Sequence, residues 1–355
     1  MRFIFILFFI LLADSTVLNR AFADLCDENH DGLKGVPLLI KQDAAFVNSN
    51  KFTETEIDVS QRFVQGADPF VLQDGQNTRY VFTTNRPKVN VPVYKMEGNN
   101  SWFSLGDALP DLPMWAEKGF TWAPEVIRLK SGKYAIWYTA RDSSSDKQCI
   151  GRGFSNRVEG PYVDQSDRPF FCDEARDTSI DPSPYRSDDG KLFLLWKTKE
   201  MISGDEITTI WMARLDDEGN LRRATIKKLL INDQEWEGKH VEAPTLLKER
   251  NRYYLFYSAG ASTSRGYLVS YATSTNLMGP YTKSNKIVVG GSKCMKGAGH
   301  QSIVEVAPGE RLIYFHGVHP ERRQTGDGKA RFLDYAYLCF QRGKPVALDR
   351  DCSSR

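Results

Sequence analysis

Apolar and polar positions along the chain repeat in five segments that share one layout. Each segment has a short motif around proline or glutamine, then an apolar run, a polar turn and an aromatic-rich run. The aromatic-rich runs are RYVFTT, YAIWYTA, LFLLWKT, RYYLFYSA and RLIYFHG. Runs of β-branched and aromatic residues between Gly, Asp and Asn turns predict β-strands, and no sustained 3.6-residue period follows the N-terminal segment.

The five segments recur at a steady period. Their equivalent positions lie 55 to 62 residues apart, at Pro69, Pro124, Pro182, Pro244 and Gln301. A unit of this length suits a four-stranded blade with generous loops, and five blades closed around an axis leave no long open edge. We therefore predict an all-β fold, a five-bladed β-propeller that forms one domain. A two-sheet sandwich is the alternative, but it does not explain the period.

The N-terminus has the layout of an export signal. A basic start, Met1-Arg2, precedes an apolar run over residues 3–13 and the small-x-small triplet Ala21-Phe22-Ala23. We predict a signal peptide over residues 1–23, a propeller domain over residues 24–355 and a secreted, extracellular product. A membrane anchor is the alternative, but this run rises only about 16 Å as a helix, less than a bilayer core.

The charge and the cysteines of the chain indicate which binding partners and which metal are disfavoured. The chain has 47 basic and 45 acidic side chains, a net charge of +2, so no strong field favours nucleic acid or an anionic membrane. Six cysteines, all after residue 23, suggest disulfides in an exported chain. Sequence alone cannot choose among their pairings, although we favour Cys149 with Cys172. A zinc site is disfavoured because close Cys-x-x-Cys or His pairs are absent.

Acidic residues recur at one phase of the repeat. The positions just before the proline or glutamine are Asp68, Ala123, Asp181, Ala243 and His300, and Trp122 and Glu242 stand one place earlier. Because the first strand of every propeller blade lines the central channel, these side chains are expected to converge at one mouth. The alternative is that Asp before Pro only marks a turn. That explanation weakens when acids recur at the same phase.

Grouped carboxylates without a phosphate-binding or metal-cluster motif suit cleavage of a glycosidic bond. One acid must hold a proton for the leaving oxygen while another stays ionised to activate water. Repulsion between nearby acids raises the pKa of one of them, which separates the two roles. Three acids therefore allow a base, an acid and a modulator, without fixing which residue takes which role.

These residues and their surroundings resemble glycoside hydrolase family 43, the five-bladed arabinanases, α-L-arabinofuranosidases and β-xylosidases. The likeness runs from about Ala67 to Pro345. Its motifs here are A-D-P-F, T-W-A-P-E-V, S-I-D-P-S-P-Y-R-S-D-D-G-K, V-E-A-P-T-L, G-A-G-H-Q-S and F-H-G. The resemblance implies that Asp68 is the general base, that Asp181 orients the acid and raises its pKa, and that Glu242 is the general acid. It also implies an inverting mechanism.

Three further residues are expected at the substrate site. The resemblance places His300 where many relatives hold a histidine near an axial cation, often calcium, with waters completing the shell. A histidine hydrogen-bonded in the pocket is the alternative, since calcium prefers six to eight oxygens. Trp122 is expected to stack on a sugar, because an indole face suits the C–H face of a sugar, although most tryptophans are core. Arg331 aligns with a basic residue of relatives, with a solvent-facing role as the alternative.

The sequence therefore predicts an exported inverting glycosidase that acts on arabinose- or xylose-containing plant polysaccharide or its fragments. We expect a carbohydrate substrate, a monomer and no cofactor in the chemistry; a structural calcium ion on the axis is the one metal suggested. A catalytically silent sugar-binding propeller is a second hypothesis, since a fold does not fix a function. A related enzyme acting on a galactan is the third.

Overall fold

The structure is a computed structural model that describes residues 55–56, 65–75, 77–97, 101–262, 264, 266–291, 295–318, 330–348 and 352. The predicted signal peptide and the start of the predicted domain lie outside these residues. Among the residues described, none form a helix with the length and hydropathy needed to cross a bilayer. Apart from two short 3₁₀ turns, Arg223–Thr225 and Glu235–Glu237, the regular structure is β-sheet.

The strands form consecutive antiparallel meanders, one for each sequence repeat. Blade 1 contains β2 (Phe70–Gln73), β3 (Thr78–Phe82), β4 (Pro92–Glu97) and β5 (Ser101–Asp107), and β1 (Thr55–Glu56) pairs with β5 at the outer edge. Blade 2 contains β6 (Trp122–Arg128), β7 (Tyr134–Arg141) and β8 (Gln148–Ser155). Blade 3 contains β9 (Thr178–Arg186), β10 (Leu192–Ile202), β11 (Asp205–Arg214) and β12 (Lys227–Ile231).

The last two meanders have the same layout. Blade 4 contains β13 (Val241–Glu249), β14 (Arg252–Ala259), β15 (Leu268–Ser274) and β16 (Thr282–Lys283). Blade 5 contains β17 (Lys296–Ala307), β18 (Glu310–Val318), β19 (Arg331–Gln341) and β20 (Lys344–Leu348). A single parallel bridge between Gln148 and Thr178 joins the sheets of blades 2 and 3.

The blades close into a ring. The inner strands contact one another in the order β2, β6, β9, β13, β17 and again β2. Apolar clusters fill the spaces between blades 1 and 2, 2 and 3, 3 and 4, and 4 and 5, and another lies between blades 5 and 1. The prediction of a five-bladed β-propeller is confirmed.

The second strand of a blade shows why these runs are apolar on both faces. In β7, Ile136 and Tyr138 pack toward blade 1, whereas Ala135 and Trp137 pack toward blade 3. All four side chains are fully buried. Successive strand side chains point to opposite faces, so a strand between two neighbouring blades needs apolar residues at every position. The aromatic residues fill the wedge-shaped spaces between the sheets.

Two disulfides lie in the described part of the chain. Cys149 and Cys172 are bonded, with Cα atoms 4.8 Å apart, which confirms the predicted pairing. Cys339 is bonded to Cys352, with Cα atoms 5.6 Å apart. Cys26 and Cys294 lie outside the described residues. The first disulfide ties β8 to the segment that leads into β9, at the junction of blades 2 and 3.

Each inner strand bends at one left-handed residue, which in blade 1 stands two residues before β2 begins. The residues are non-glycine and have φ angles of 53°, 46°, 55°, 50° and 52°, at Asp68, Ala123, Asp181, Ala243 and His300. In blades 2 to 5 the strand register shifts at this point, which marks a β-bulge. Left-handed backbone costs a non-glycine residue about 1 to 2 kcal/mol. The five positions aligned by the sequence repeat are therefore five copies of one strained bend.

Candidate active site

A recurring hydrogen bond holds four of the five bends. The amide N–H of the left-handed residue donates to a side chain on the second strand of the preceding blade or, for Thr84, two residues after that strand ends. The pairs are Ala123 N to Thr84 Oγ1 at 3.0 Å, Asp181 N to Thr139 Oγ1 at 3.2 Å, His300 N to Ser258 Oγ at 2.8 Å and Asp68 N to His316 Nδ1 at 2.9 Å. Because the bend removes these N–H groups from the strand ladder, each needs such an acceptor when buried.

Blade 3 departs from this rule. Its second strand has Lys197 at the equivalent position, and an ammonium group has no lone pair to accept a hydrogen bond. The Ala243 N–H donates instead to Asp181 Oδ2, at 2.9 Å. Lys197 Nζ contacts Glu242 Oε2 at 2.7 Å. Lys197 therefore binds the third predicted catalytic carboxylate directly and acts on the second, Asp181, through its charge.

Asp68 is the most heavily bonded of the three carboxylates. Arg331 Nη1 donates to its Oδ1 at 2.9 Å, and the Thr84 hydroxyl donates to its Oδ2. The Nδ1 atoms of His300 and His316 lie 3.2 Å and 3.4 Å from Oδ1. Burial alone would raise the pKa of Asp68, but Arg331, His300 and the Thr84 hydroxyl together hold that pKa well below its usual range. Asp68 is therefore ionised, the state that a general base requires.

The pKa values of Asp181 and Glu242 shift in opposite directions. Burial, with the charges of Glu242 and Asp68, raises the pKa of Asp181 to about 6, against the opposing effects of His300 and Lys197. Burial would also raise the pKa of Glu242, but the contact with Lys197 outweighs it and lowers that pKa. In the substrate-free site these opposite shifts favour the proton on Asp181 over Glu242.

His316 is a structural partner of Asp68 that the sequence reasoning did not assign. Its side chain is fully buried, and its ring stacks between His300 and Tyr267, with ring centroids 6.0 Å and 5.7 Å away. Burial and, next, the Arg331 charge lower the pKa of His316 well below its usual value, so the ring is neutral. Nδ1 accepts the Asp68 N–H, which fixes the tautomer with the proton on Nε2.

Trp122 lies where the repeat places it, at the start of β6 and directly before the bend at Ala123. It is half-buried, and its ring centroid lies 6.4 Å from that of Phe120 with a tilt of 58°. The Arg141 guanidinium covers Phe120, with its central carbon 3.5 Å from the ring centroid. Trp122 therefore belongs to an aromatic and cationic rim beside the carboxylates.

The sequence of the chain matches the profile of one protein family. The profile of glycosyl hydrolases family 43 aligns with residues 63–335, which include all five bends and every residue of the site. The chain belongs to glycosyl hydrolases family 43. This agrees with the resemblance found in the motifs.

Two similar proteins share about a quarter of their aligned residues with this chain. An extracellular endo-α-(1→5)-L-arabinanase of Thermotoga petrophila is 27% identical over 252 residues, 60% of this chain and 50% of the relative. An extracellular exo-α-(1→5)-L-arabinofuranosidase of Cellvibrio japonicus is 22% identical over 66% of this chain and 74% of the relative. The chain thus spans half the length of the Thermotoga relative.

A solved family 43 structure supports the fold. The crystal structure of a thermostable family-43 glycoside hydrolase superimposes with a TM-score of 0.72 at 23% identity, covering 82% of this chain and 95% of that one. Such a likeness shows a shared fold.

The residues around His300 do not by themselves make a calcium site. Its Nδ1 already faces Asp68 Oδ1 at 3.2 Å. Across the described ranges, no group of three or more His, Cys, Asp or Glu side chains is arranged to hold a metal ion. Calcium prefers six to eight oxygen ligands, so one imidazole is a poor donor set. The axial calcium ion stays a prediction.

The structure brings five of the six predicted site residues together and places the sixth, Trp122, next to the equivalent bend of blade 2. Asp68, Arg331 and His300 are in direct contact. Asp181 and Glu242 interact electrostatically with each other, and Trp122 lies at the equivalent bend of the neighbouring blade. Sequence reasoning missed Thr84, Thr139, Lys197, Ser258 and His316. The repeat could have identified them, because these five polar residues occupy one aligned position near the ends of the aromatic-rich runs.

Proposed function

We propose that this protein hydrolyses arabinofuranosyl or xylosyl linkages in plant cell-wall polysaccharide or its fragments, with inversion at the anomeric carbon. The observation that carries the proposal is a set of three carboxylates shielded from solvent, Asp68 and Asp181 at two equivalent bends and Glu242 directly before a third. Asp68 is ionised, and the Asp181 and Glu242 pair holds a proton. The names of the family 43 relatives support arabinan as the first substrate to test.

The proposed reaction is a single displacement. Asp68 takes a proton from a water molecule while the water oxygen attacks the anomeric carbon. Glu242 gives its proton to the glycosidic oxygen as the bond to that oxygen breaks. Asp181 positions Glu242 and stores the proton between cycles. In inverting enzymes the base and the acid stand roughly 6.5 to 9.5 Å apart, which leaves room for the water.

We propose that Trp122, His300 and Arg331 contact the sugar. Trp122 is half-buried beside the carboxylates, so one ring face is available for stacking. Replacing Trp122 by Ala is expected to raise KM about tenfold with little change in kcat, and replacing it by Phe is expected to restore part of the loss. An unchanged KM for Trp122→Ala would remove the platform from the proposal.

The deciding experiment is a hydrolysis panel with arabinan, arabinoxylan, xylo-oligosaccharides and galactan. Glu242→Gln should lower kcat by about 100- to 10,000-fold, because loss of a general acid has that effect. The exposed Glu305→Gln, at the opposite end of blade 5, serves as the matched control. NMR of the first anomer released reports inversion or retention.

Each outcome of this panel has a meaning. Sugar binding by calorimetry without release of product would point to a silent sugar-binding propeller. Release from galactan alone would assign a different substrate. Full activity of folded Glu242→Gln would remove Glu242 as the acid, provided that thermal unfolding shows an intact fold.

We also propose that the protein is exported. The N-terminal signal layout and the two disulfides support this, and the two relatives are named as extracellular. N-terminal sequencing of protein recovered from the medium of an expressing cell is expected to begin near Asp24. Retention of the intact N-terminus inside the cell would argue against export.

A further inference from the structure

Lys197 breaks a rule that the other four blades keep. At the aligned position, Thr84, Thr139, Ser258 and His316 each accept the N–H of the next blade's bend. Lys197 cannot do so, and its ammonium group instead contacts the side chain of Glu242. A lysine at a position where the fold needs an acceptor indicates a role in the site rather than in the scaffold.

The contact of Lys197 with Glu242 is close and shielded from solvent. The two atoms are 2.7 Å apart, and the side chains are only 5% and 13% exposed. Taking two charges out of water is costly, and the cost is offset only when the contact is well made. Asp181 takes over the Ala243 N–H that Lys197 leaves without an acceptor. The lysine therefore fixes both carboxylates, one through its charge and the other through the displaced hydrogen bond.

Charged and titratable groups surround this pair on several strands. Asp181, on β9, and His300, on β17, act on Glu242 from the neighbouring inner strands, and His240 acts from the segment just before β13. Tyr267 faces Glu242 from blade 4, and Glu206 faces Lys197 from β11. Among these groups only Lys197 makes a hydrogen bond to the Glu242 carboxylate in the described structure.

We propose that Lys197 is a positioning residue that keeps Glu242 ionised in the substrate-free site and leaves the proton of the acid pair on Asp181. This inference rests on the proposed function of Glu242 as the acid. It implies that substrate binding must bring the proton to Glu242 before the glycosidic oxygen can receive it. The raised pKa of Asp181 and the lowered pKa of Glu242 agree with this distribution.

The first test is the pH dependence of kcat/KM for Lys197→Met, which keeps the chain length and removes the charge. Removing the cation raises the pKa of the acid pair, so the alkaline limb should move up by about one to three pH units. Lys197→Arg keeps a cation, so its alkaline limb should move by less than half of the shift seen in Lys197→Met. Lys248→Met is the matched control, since Lys248 Nζ lies 2.6 Å from Asp188 Oδ2 in a pair away from the site.

The second test does not depend on activity. Protein labelled with ¹³C at the glutamate carboxyl carbons is titrated by NMR, and the Glu242 signal is assigned by its loss in Glu242→Gln. Its midpoint should rise in Lys197→Met and stay near the wild-type value in Lys248→Met. An unchanged midpoint in folded Lys197→Met overturns the inference, even if the enzyme proves active. A shifted midpoint in a protein with no hydrolytic activity supports the electrostatic role and rejects the proposed function.

Discussion

At the scale of the residue, identical chemical groups differ because their neighbours differ. Asp68 and Asp181 are both aspartates at left-handed bends, and both are buried. Asp68 faces the Arg331 guanidinium and the His300 imidazole, which hold its pKa well below the usual range. Asp181 faces another carboxylate, and its pKa rises to about 6, chiefly through burial. The separation of base and acid roles therefore comes from the partners of each carboxylate.

Arg331 gives this contrast a measurable consequence. Arg331→Met removes a cation 2.9 Å from Asp68, so the pKa of Asp68 should rise toward its usual value. The acidic limb of kcat/KM should then move to higher pH, because the base becomes protonated earlier. The alkaline limb, which follows the acid pair with its pKa of about 6, should move much less.

The same substitution should change the pH dependence of stability. Because the folded pKa of Asp68 is depressed, its ionisation stabilises the fold above the unfolded pKa of about 3.9, and this is lost as pH falls through the folded value. Arg331→Met should lower the free energy of unfolding at pH 6 more than at pH 3. The control is Arg311→Met, also on blade 5, which removes a contact of 2.8 Å with Glu249 of blade 4. If both substitutions shift the acidic limb equally, the assignment of Arg331 fails.

At the scale of the element, the unit that builds the site is a bent inner strand with an acceptor from the preceding blade. The bend shifts the strand register and leaves one N–H outside the ladder. A hydroxyl or an imidazole on the neighbouring second strand satisfies that N–H. Removing such an acceptor leaves a buried N–H without a partner, at a cost of about 1 to 3 kcal/mol.

Thr139 and Thr83 test this cost with the same chemical change. Thr139 Oγ1 accepts the Asp181 N–H, whereas the buried Thr83 Oγ1 has no hydrogen-bond partner within the described part of the chain. Thr139→Val should lower the free energy of unfolding by about 1 to 3 kcal/mol in urea titrations and also reduce activity. Thr83→Val, of equal shape, should cost less than about 0.5 kcal/mol or stabilise. Equal losses in the two variants would contradict the role of the acceptor.

At the scale of the whole molecule, the site exists only when the ring is closed. Asp68 belongs to blade 1, but its partners His300, His316 and Arg331 all belong to blade 5. The apolar cluster between these blades, which includes Val81, Tyr314 and Leu333, therefore supports the base directly. Loss of that closure would separate the carboxylate from the groups that keep it ionised.

Leu333 tests the closure. It is buried between blades 5 and 1, and Leu333→Ala should lower the free energy of unfolding by about 2 to 5 kcal/mol through the cavity it leaves. Activity should fall further than the stability loss explains. The acidic limb of kcat/KM should move to higher pH, because Asp68 loses part of its contact with the cations of blade 5. Ile202→Ala, at a half-exposed position in β10, is the control and should cost much less. A stability loss with an unchanged acidic limb would mean that the closing cluster does not position Asp68.

The sequence by itself determined the number of blades, the five aligned positions and the three carboxylates proposed to be catalytic. A repeat of 55 to 62 residues forces equivalent residues to equivalent places around the axis, so Asp68, Asp181 and Glu242 had to meet. The apolar and aromatic runs predicted the strands. The disulfide between Cys149 and Cys172 was also predicted from the sequence. These features depend on neighbouring residues or on a regular repeat, and both can be recognised in the amino-acid sequence.

Only the tertiary structure decided which groups face each carboxylate. Arg331 is 263 residues from Asp68 in the chain, and Lys197 is 45 residues from Glu242, so no sequence spacing links them. The ionisation of a buried acid depends on charges within a few ångströms, which come from whichever strands the closed ring brings together. The sequence therefore named the acids, whereas the packing of blade against blade determined their charges.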